Sequence, residues 1–178
     1  MVNPWHDVSY GDKLPNEVIA FIEVPRDGML KYEMDKESGL LVLDRAMYSA
    51  VHYPGDYGFI PQTLAEDGDP VDIIIISNFA AYPGTLVKAR PIGIIRMFDG
   101  QERDDKIIAV HSTDPRMNHI KSTKDLSDYR ILEIKHFFQI YKELQGKKVE
   151  ITGLEGAEEA IKSINEGIEA YNIKYRNK

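Results

Sequence analysis

Up to about residue 110, the chain alternates short apolar runs with clusters of proline and glycine. The runs are rich in Ile, Val, Leu and Tyr, which is typical of β-strands. The predicted strands are 17–24, 30–34, 40–43, 71–76, 86–89, 92–97 and 106–110. Residues 36–39 predict a hairpin loop between the second and third strands. Many short strands without long helices between them indicate a barrel or a sandwich.

Two helical patterns follow. The first places apolar residues at three- and four-residue spacing, at Ile131, Ile134, Phe138 and Tyr141. Asp128 lies near its start, and Gly146 predicts its end. The second has its apolar stripe, opened by Glu158 and Glu159, at Ile161, Ile164, Ile168, Tyr171 and Tyr175. Residues 148–151 between them return to strand character. The pattern predicts a mainly β fold of the α+β class, a small β-barrel with two packed helices, as one domain over residues 1–178.

The composition permits a packed core and excludes several kinds of site. Hydrophobic residues make up 43% of the 178 residues and charged residues 29%, which argues against disorder. The absence of cysteine excludes disulfides, thiolate zinc sites and cysteine nucleophiles, and it is consistent with a reducing compartment. The net charge is −7. Because an acidic surface repels a phosphate backbone, we expect no nucleic-acid partner.

The start of the chain and its longest apolar run predict a cytoplasmic protein that does not enter a membrane. Residues 1–7 lack the basic and apolar regions of a secretory signal. The longest apolar run, residues 71–76, is interrupted by Asp72 and is far too short to cross a bilayer.

Three carboxylates crowd into one turn of the chain. Asp67, Asp69 and Asp72 are separated only by Gly68, Pro70 and one valine. Like charges this close raise one another's pKa unless a cation neutralises them. Carboxylate oxygens suit Mg²⁺ or Mn²⁺, and the strand that follows would anchor the loop rigidly. The cluster predicts a divalent-metal site.

Other interpretations of this cluster have less support. An EF-hand loop needs Gly at position six and Glu at position twelve, where this chain has Asp72 and Asn78. In haloacid-dehalogenase phosphatases a strand precedes the first aspartate, whereas here it follows. From the three aspartates alone, a polar turn that binds no ligand is also possible. A second acidic segment, residues 99–106, lies between two predicted strands and favours the metal site, although alone it is more typical of a solvated hairpin loop.

The segment Asp67-Gly68-Asp69-Pro70-Val71-Asp72 reproduces the pattern Asp-x-Asp-Pro-hydrophobic-Asp. Further motifs are found at 22–25, 31–39, 43–45, 53–58, 89–93, 136–138, 141–142 and 153–157. In this pattern and this order the chain resembles the soluble, type I inorganic pyrophosphatases over nearly its whole length, and their prokaryotic branch in particular. The resemblance implies a five-stranded OB-type β-barrel with helices, in agreement with the strand pattern.

The resemblance implies hydrolysis of inorganic pyrophosphate to two orthophosphates with Mg²⁺ as cofactor. It assigns Asp67, Asp72 and Asp104 to the tightest Mg²⁺, and Asp72 also to a second ion. Asp99 and Asp104 are the implied ligands of ions that arrive with the substrate, and Glu33 is a further metal contact. Many bacterial members have an acidic residue where this chain has Gly100. This departure affects the ligands implied for a fourth metal ion and leaves those of the core site unchanged.

The resemblance also implies the roles of the remaining site residues. Asp69 is the implied general base. The implied phosphate-binding side chains are Lys31, Arg45, Tyr57, Lys106, Tyr141 and Lys142. Lys31, Arg45 and Tyr57 also act in catalysis, and Glu23 and Tyr53 support the site. Taken without the resemblance, Arg45 is more typical of an ion-pair partner of Asp44 or Glu33.

Two other functions stay open from the residues alone. The first is an OB-type binding protein with a residual divalent-metal site, because OB barrels often bind nucleic acids. The second is a broader phosphomonoesterase. The resemblance to the prokaryotic branch further implies a homohexamer.

Overall fold

Strands dominate the fold. The computed structural model describes residues 2–176, which form nine strands and two α-helices. The strands are β1 (Val18–Val24), β2 (Leu30–Met34), β3 (Leu41–Ala46), β4 (Asp56–Phe59), β5 (Asp72–Ile76), β6 (Leu86–Asp99), β7 (Glu102–Arg103), β8 (Lys106–His111) and β9 (Val149–Glu155). The helices are α1 (Asp128–Ile140) and α2 (Ala157–Tyr171), followed by a π-helical turn at Asn172–Arg176. The predicted mainly β fold with two helices is confirmed.

Five strands of the described chain close into a ring. They pair in the order β1, β4, β5, β8, β6, and β6 returns to β1. The length of β6 allows this closure, because its start pairs with β1 and its later residues pair with β8 and β9. A register shift between Pro91 and Gly93 lies where β6 changes partner, and such irregularities bend a strand. The hairpin of β2 and β3 lies apart from this sheet. The predicted OB-type barrel is confirmed.

Strands β5 and β8 are buried on both faces. Ile74 and Ile108 belong to the core cluster that includes α1, whereas Ile73 and Ile107 belong to the cluster that includes α2. Successive side chains of a strand point to opposite faces, so each strand contributes to both cores. The run of isoleucines lacks alternation because neither face meets water. The first residues of both strands are therefore held by a rigid scaffold.

Each helix buries one face against the barrel. In α1 the buried residues are Ile134, Phe137 and Phe138, and the Ser127 side chain caps the helix by accepting a hydrogen bond from the Arg130 N–H. In α2 the predicted apolar stripe is buried at Ile164, Ile168 and Tyr171, whereas Ile161 is half-buried and Tyr175 lies beyond the helix and is exposed. Across residues 2–176, neither helix is long and apolar enough to cross a membrane.

The structure corrects several predicted boundaries. Segments 86–89 and 92–97 form one strand, because the chain bends at Pro91 without leaving the sheet. The pattern misses β4, which lies in a segment that Pro and Gly residues mark as a turn. Helix α1 ends at Ile140, and a 3-10 turn at Glu143–Gln145 carries the chain to Gly146, whose φ is 72°. Glycine suits this left-handed conformation at a helix end.

Gly58 of β4 allows β1 to approach closely. A Cβ at this position would overlap the carbonyl oxygen of Phe21 and lie 3.0 Å from Ile22 Cα. Because both are backbone atoms of a paired strand, we expect Gly58→Ala to lower the free energy of unfolding by about 2–3 kcal/mol. Urea denaturation measures this change. Gly153→Ala is the matched control, because its Cβ would lie 3.7 Å from Arg96 Cβ, and an equal loss in both variants would contradict the prediction.

Candidate active site

A cleft of about 240 Å³ gathers the predicted site residues from distant parts of the chain. The strands β1, β2, β5 and β8, the loops before β5 and β8, and the end of α1 all contribute to it. Every predicted site residue except Arg45 lines it, namely Glu23, Lys31, Glu33, Tyr53, Tyr57, Asp67, Asp69, Asp72, Asp99, Asp104, Lys106, Tyr141 and Lys142. One concave site thus holds both the carboxylates and the basic groups that the sequence singles out.

Arg45 does not line the cleft. It lies on β3 opposite Lys31 of β2, and its guanidinium forms an ion pair with Asp44. The Nζ atom of Lys31 lies 3.6 Å from the same Asp44 carboxylate. The ion-pair role that the residues alone suggested for Arg45 is therefore the one that the structure shows.

Three charged residues line the cleft although the sequence did not single them out. They are Lys36, Glu102 and Arg103. Lys36 lies in the turn of the β2–β3 hairpin and forms an ion pair with Asp69. Glu102 and Arg103 form β7 within the acidic segment 99–106. Periodicity cannot reveal them, because turns and two-residue strands have no repeat that assigns a side chain to a face.

Ammonium groups neutralise the crowded carboxylates. The Lys106 side chain, only 2% exposed, forms ion pairs with both Asp72 and Asp104. The Nζ atom of Lys142 lies 2.5 Å from Asp99 Oδ2. Within residues 2–176, no three carboxylate or imidazole side chains converge on one point as ligands of a single ion. The carboxylates are thus spread around lysine nitrogens.

Burial makes negative charge costly in this cleft. It raises the pKa of Asp67. Burial likewise raises the pKa of Asp72, Lys106 opposes this shift, and the negative charge of Asp104 adds to it. Burial alone would lower the pKa of Lys106, but Asp72 and Asp104 outweigh it and hold that pKa above its ordinary value. A positive charge between these aspartates is therefore strongly favoured.

The donor chemistry of the cleft suits a hard divalent cation. The acidic side chains offer only oxygen atoms, the ligands that Mg²⁺ and Mn²⁺ prefer. The Lys106 ammonium already places one positive charge between Asp72 and Asp104. The residues present therefore match such an ion in charge and in ligand type.

Buried tyrosines form the floor of the cleft. The rings of Tyr53 and Tyr57 pack with their centroids 5.3 Å apart, and Lys106 Nζ lies 5.8 Å from the centre of the Tyr57 ring. Burial raises the pKa of Tyr53, Tyr57 and Tyr141. These side chains therefore stay neutral and offer hydroxyl groups, not charges, to a bound anion.

Glu23 of β1 is the most buried carboxyl group of the cleft. Its side chain accepts a hydrogen bond of 2.8 Å from the Met34 N–H. Burial raises the pKa of Glu23 to about 8, with smaller contributions from Asp72 and Glu33 in the same direction, whereas the Met34 bond and Lys31 lower it. Glu23 is therefore largely protonated at neutral pH.

Known proteins resemble this chain over nearly its whole length. A family model described as inorganic pyrophosphatase matches residues 20–172. An inorganic pyrophosphatase of Geobacillus stearothermophilus is 46% identical over 88% of this chain and 96% of its own. A soluble inorganic pyrophosphatase of Chlamydomonas reinhardtii is 43% identical over 97% and 90%, respectively. The crystal structure of inorganic pyrophosphatase from Thermus thermophilus has a TM-score of 0.92 and 41% identity, covering 96% of this chain and 99% of that one.

The buried Glu23 makes stability depend on pH. Folding raises the pKa of Glu23 from about 4.5 to about 8, so the folded protein holds this proton more tightly than the unfolded chain. The resulting contribution to the free energy of unfolding is complete below pH 4.5 and is lost as the pH rises through about 8. Each pH unit in this window lowers the free energy of unfolding by up to about 1.4 kcal/mol. We therefore expect Glu23→Gln to match the wild type at pH 4.5 and to be the more stable protein at pH 9. Urea denaturation at pH 4.5 and pH 9 measures the difference in free energy of unfolding between the variant and the wild type. If this difference is the same at both pH values, the pKa of Glu23 is not raised by folding.

Proposed function

The chain belongs to the inorganic pyrophosphatase family, and we propose that the cleft hydrolyses pyrophosphate with Mg²⁺ and with Asp69 as general base. The single observation that carries this proposal is the joint presence, in one cleft, of crowded carboxylates and basic side chains. Pyrophosphate is a polyanion that repels a nucleophile of the same charge. Its hydrolysis therefore requires positive charge around both phosphates and a base beside the attacked phosphorus atom.

Five carboxylates would hold the metal ions. Asp67, Asp72 and Asp104 would bind the tightest Mg²⁺, while Asp99 and Glu33 would contribute to ions bound together with the substrate. Bound Mg²⁺ supplies positive charge to the phosphate oxygens and lowers the pKa of a water molecule. Support comes from the raised pKa values of Asp67 and Asp72, whose negative charges are poorly stabilised without a cation.

Asp69 would accept the proton of the attacking water. Its backbone N–H donates to Asp67 Oδ1 at 2.9 Å, which fixes the turn, and its side chain is 51% exposed to the cleft. As the water oxygen bonds to one phosphorus atom, its proton passes to an Asp69 oxygen. The bond from that phosphorus to the bridging oxygen breaks, and the second phosphate leaves with the bridging oxygen.

Basic side chains on the walls would bind the phosphate oxygens. Lys31, Lys106 and Lys142 lie on β2, on β8 and just after α1, and so approach the cleft from different sides. The neutral hydroxyl groups of Tyr57 and Tyr141 add hydrogen-bond donors. Arg45 would have to leave Asp44 to reach a phosphate, so a direct role for Arg45 requires movement of its side chain.

The homohexamer implied by the resemblance also stays a proposal. The proposal rests on the resemblance to the prokaryotic branch, because single exposed aromatic side chains such as Tyr82 and Tyr129 also occur on monomers. Sedimentation velocity measures the assembly, and a monomer would contradict it.

The first test is phosphate release from pyrophosphate. We expect release in the presence of Mg²⁺ and its loss in excess chelator, because the carboxylates alone repel the substrate. Malachite-green detection of orthophosphate measures both conditions. A folded sample that releases no phosphate with Mg²⁺ present would overturn the proposal, and binding of single-stranded RNA in a gel-shift assay would then favour the OB-type binding protein.

The second test is the variant Asp69→Asn. We expect kcat to fall by about 10²–10⁴-fold because the amide cannot accept the proton. The circular dichroism spectrum and the midpoint of urea unfolding should stay those of the wild type, since the Asp69 side chain is half exposed. Asp12→Asn is the matched control, because Asp12 is exposed and lies outside the cleft. Full activity of Asp69→Asn would remove Asp69 from the role of base.

A further inference from the structure

A chain of ion pairs connects the two acidic loops behind the cleft. Arg103 donates from Nε to Asp105 Oδ2 at 2.8 Å and from Nη1 to Glu66 Oε1 at 3.1 Å. Arg96 donates from Nη1 to the same Asp105 oxygen at 2.7 Å. We call Glu66, Arg103, Asp105 and Arg96 the Arg103 clamp. None of the four has a role in the proposed chemistry.

The Asp105 end of the clamp is the stronger one. Its carboxylate accepts hydrogen bonds from Arg96, from Arg103 and, at 3.1 Å, from the Met97 N–H. The Asp105 side chain is 13% exposed and that of Arg96 is 19% exposed, so the bond between them is better shielded from water than the bond to Arg103, whose side chain is 41% exposed. Asp105 directly follows Asp104, and fixing its side chain also fixes the backbone from which Asp104 reaches Lys106.

The Glu66 end is weaker but joins a different loop. Glu66 directly precedes Asp67, and its side chain is 72% exposed. An ion pair this exposed contributes little to stability by itself. The Arg103–Glu66 ion pair matters because of where it lies: through it, Arg103 connects Glu66, next to Asp67, with Asp105, next to Asp104.

The sheet brings these two loops to the same edge, but it does not join Asp67 to Asp104 directly. The parallel pairing of β5 with β8 begins at Ile73 and Ile107. Asp67 and Asp104 both precede these first paired residues, so no ladder hydrogen bond joins the two. The Asp104 N–H instead donates to the Met97 carbonyl of β6 at 3.0 Å. Behind the loops lies a second cavity of about 230 Å³, bounded by Glu66, Arg103, Asp105 and α2. The loops thus lack close packing on that side, where three residues of the clamp line the cavity.

We infer that Arg103 and Asp105 are positioning residues that set the spacing of Asp67 and Asp104 for cation binding. The inference rests on the proposed function, because it takes these two aspartates as metal ligands. Loss of a hydrogen-bond partner of a metal ligand typically changes metal affinity about 10–100-fold. Because the clamp holds the sequence neighbours of Asp67 and Asp104 and not the two ligands themselves, we expect the lower end of this range. The effect should therefore appear in the Mg²⁺ requirement and not in the rate at saturating Mg²⁺.

The test compares Asp105→Asn, Arg103→Gln and Arg103→Lys with the wild type. Two Mg²⁺ titrations are recorded: the rise in melting temperature without substrate, and the rate of phosphate release from pyrophosphate. We expect Asp105→Asn and Arg103→Gln to raise both Mg²⁺ midpoints about 10-fold, with kcat at saturating Mg²⁺ within about two-fold of the wild type. Lysine can bind only one of the two carboxylates at a time, so the Mg²⁺ midpoints of Arg103→Lys should lie between those of Arg103→Gln and those of the wild type.

Arg130→Gln is the matched control. Arg130 forms an exposed ion pair with Glu133 within α1, at 3.3 Å, and neither residue lines the cleft. We expect both of its Mg²⁺ midpoints to equal those of the wild type. Because Arg103 also lines the cleft, a direct contact with phosphate would raise KM in Arg103→Gln and leave Asp105→Asn unchanged.

Three outcomes overturn the inference. Unchanged Mg²⁺ midpoints in Asp105→Asn, with only a lower melting temperature in chelator, would show a purely structural role. A higher KM confined to the Arg103 variants would make Arg103 a substrate-binding residue. A wild type that releases no phosphate with Mg²⁺ would overturn the proposed function and this inference together. If Asp105→Asn does not fold, the Mg²⁺ midpoints of Arg103→Gln and Arg103→Lys test the inference. We expect these two variants to fold because Arg96 and the Met97 N–H still bind Asp105 in them.

Discussion

The structure depends on one buried ammonium group. Lys106 lies between Asp72 and Asp104 at the start of β8, and its side chain is 2% exposed. Removing one partner of such a buried pair typically costs about 3–5 kcal/mol, because the remaining charge stays buried and unpaired. The barrel tolerates crowded carboxylates at this edge because Lys106 neutralises two of them. The same carboxylates are the reason why the cleft favours further cations.

The parallel pairing of β5 and β8 explains why the cleft forms where it does. Parallel strands start at the same edge of a sheet, so the loops that precede β5 and β8 meet there. One loop carries Asp67 and Asp69, and the other carries Asp104. An antiparallel arrangement would place these loops at opposite ends of the barrel. The β2–β3 hairpin and the end of α1 then add Lys31 and Lys142 from the sides.

The residue pattern predicted the barrel and the aspartate loop because both leave strong local signals, whereas most of the other cleft residues were assigned by the resemblance to the pyrophosphatases. Apolar runs and their Pro and Gly boundaries reveal buried strands, and the aspartate spacing reveals the loop before β5. The pattern missed β4 because glycine is typical of turns. Gly58 is required in this strand because β1 packs closely against its backbone, a contact that the sequence does not reveal. Lys36 and Arg103 were missed because their positions depend on tertiary contacts with Asp69 and Glu66. Arg45 was assigned to the site by resemblance, whereas the residues alone had already suggested the ion pair with Asp44 that the structure shows.

Charge balance couples the two ligands of this cleft. Asp72, Asp99 and Asp104 already engage the ammonium groups of Lys106 and Lys142. A phosphate can draw these lysines toward itself only by leaving the aspartates without positive neighbours, in a site where burial raises the pKa of Asp72. Pyrophosphate alone would therefore bind poorly, and divalent cations alone would compete with lysines. When both bind together, the lysines would turn to the phosphates and the carboxylates would keep positive partners, so each ligand would favour binding of the other.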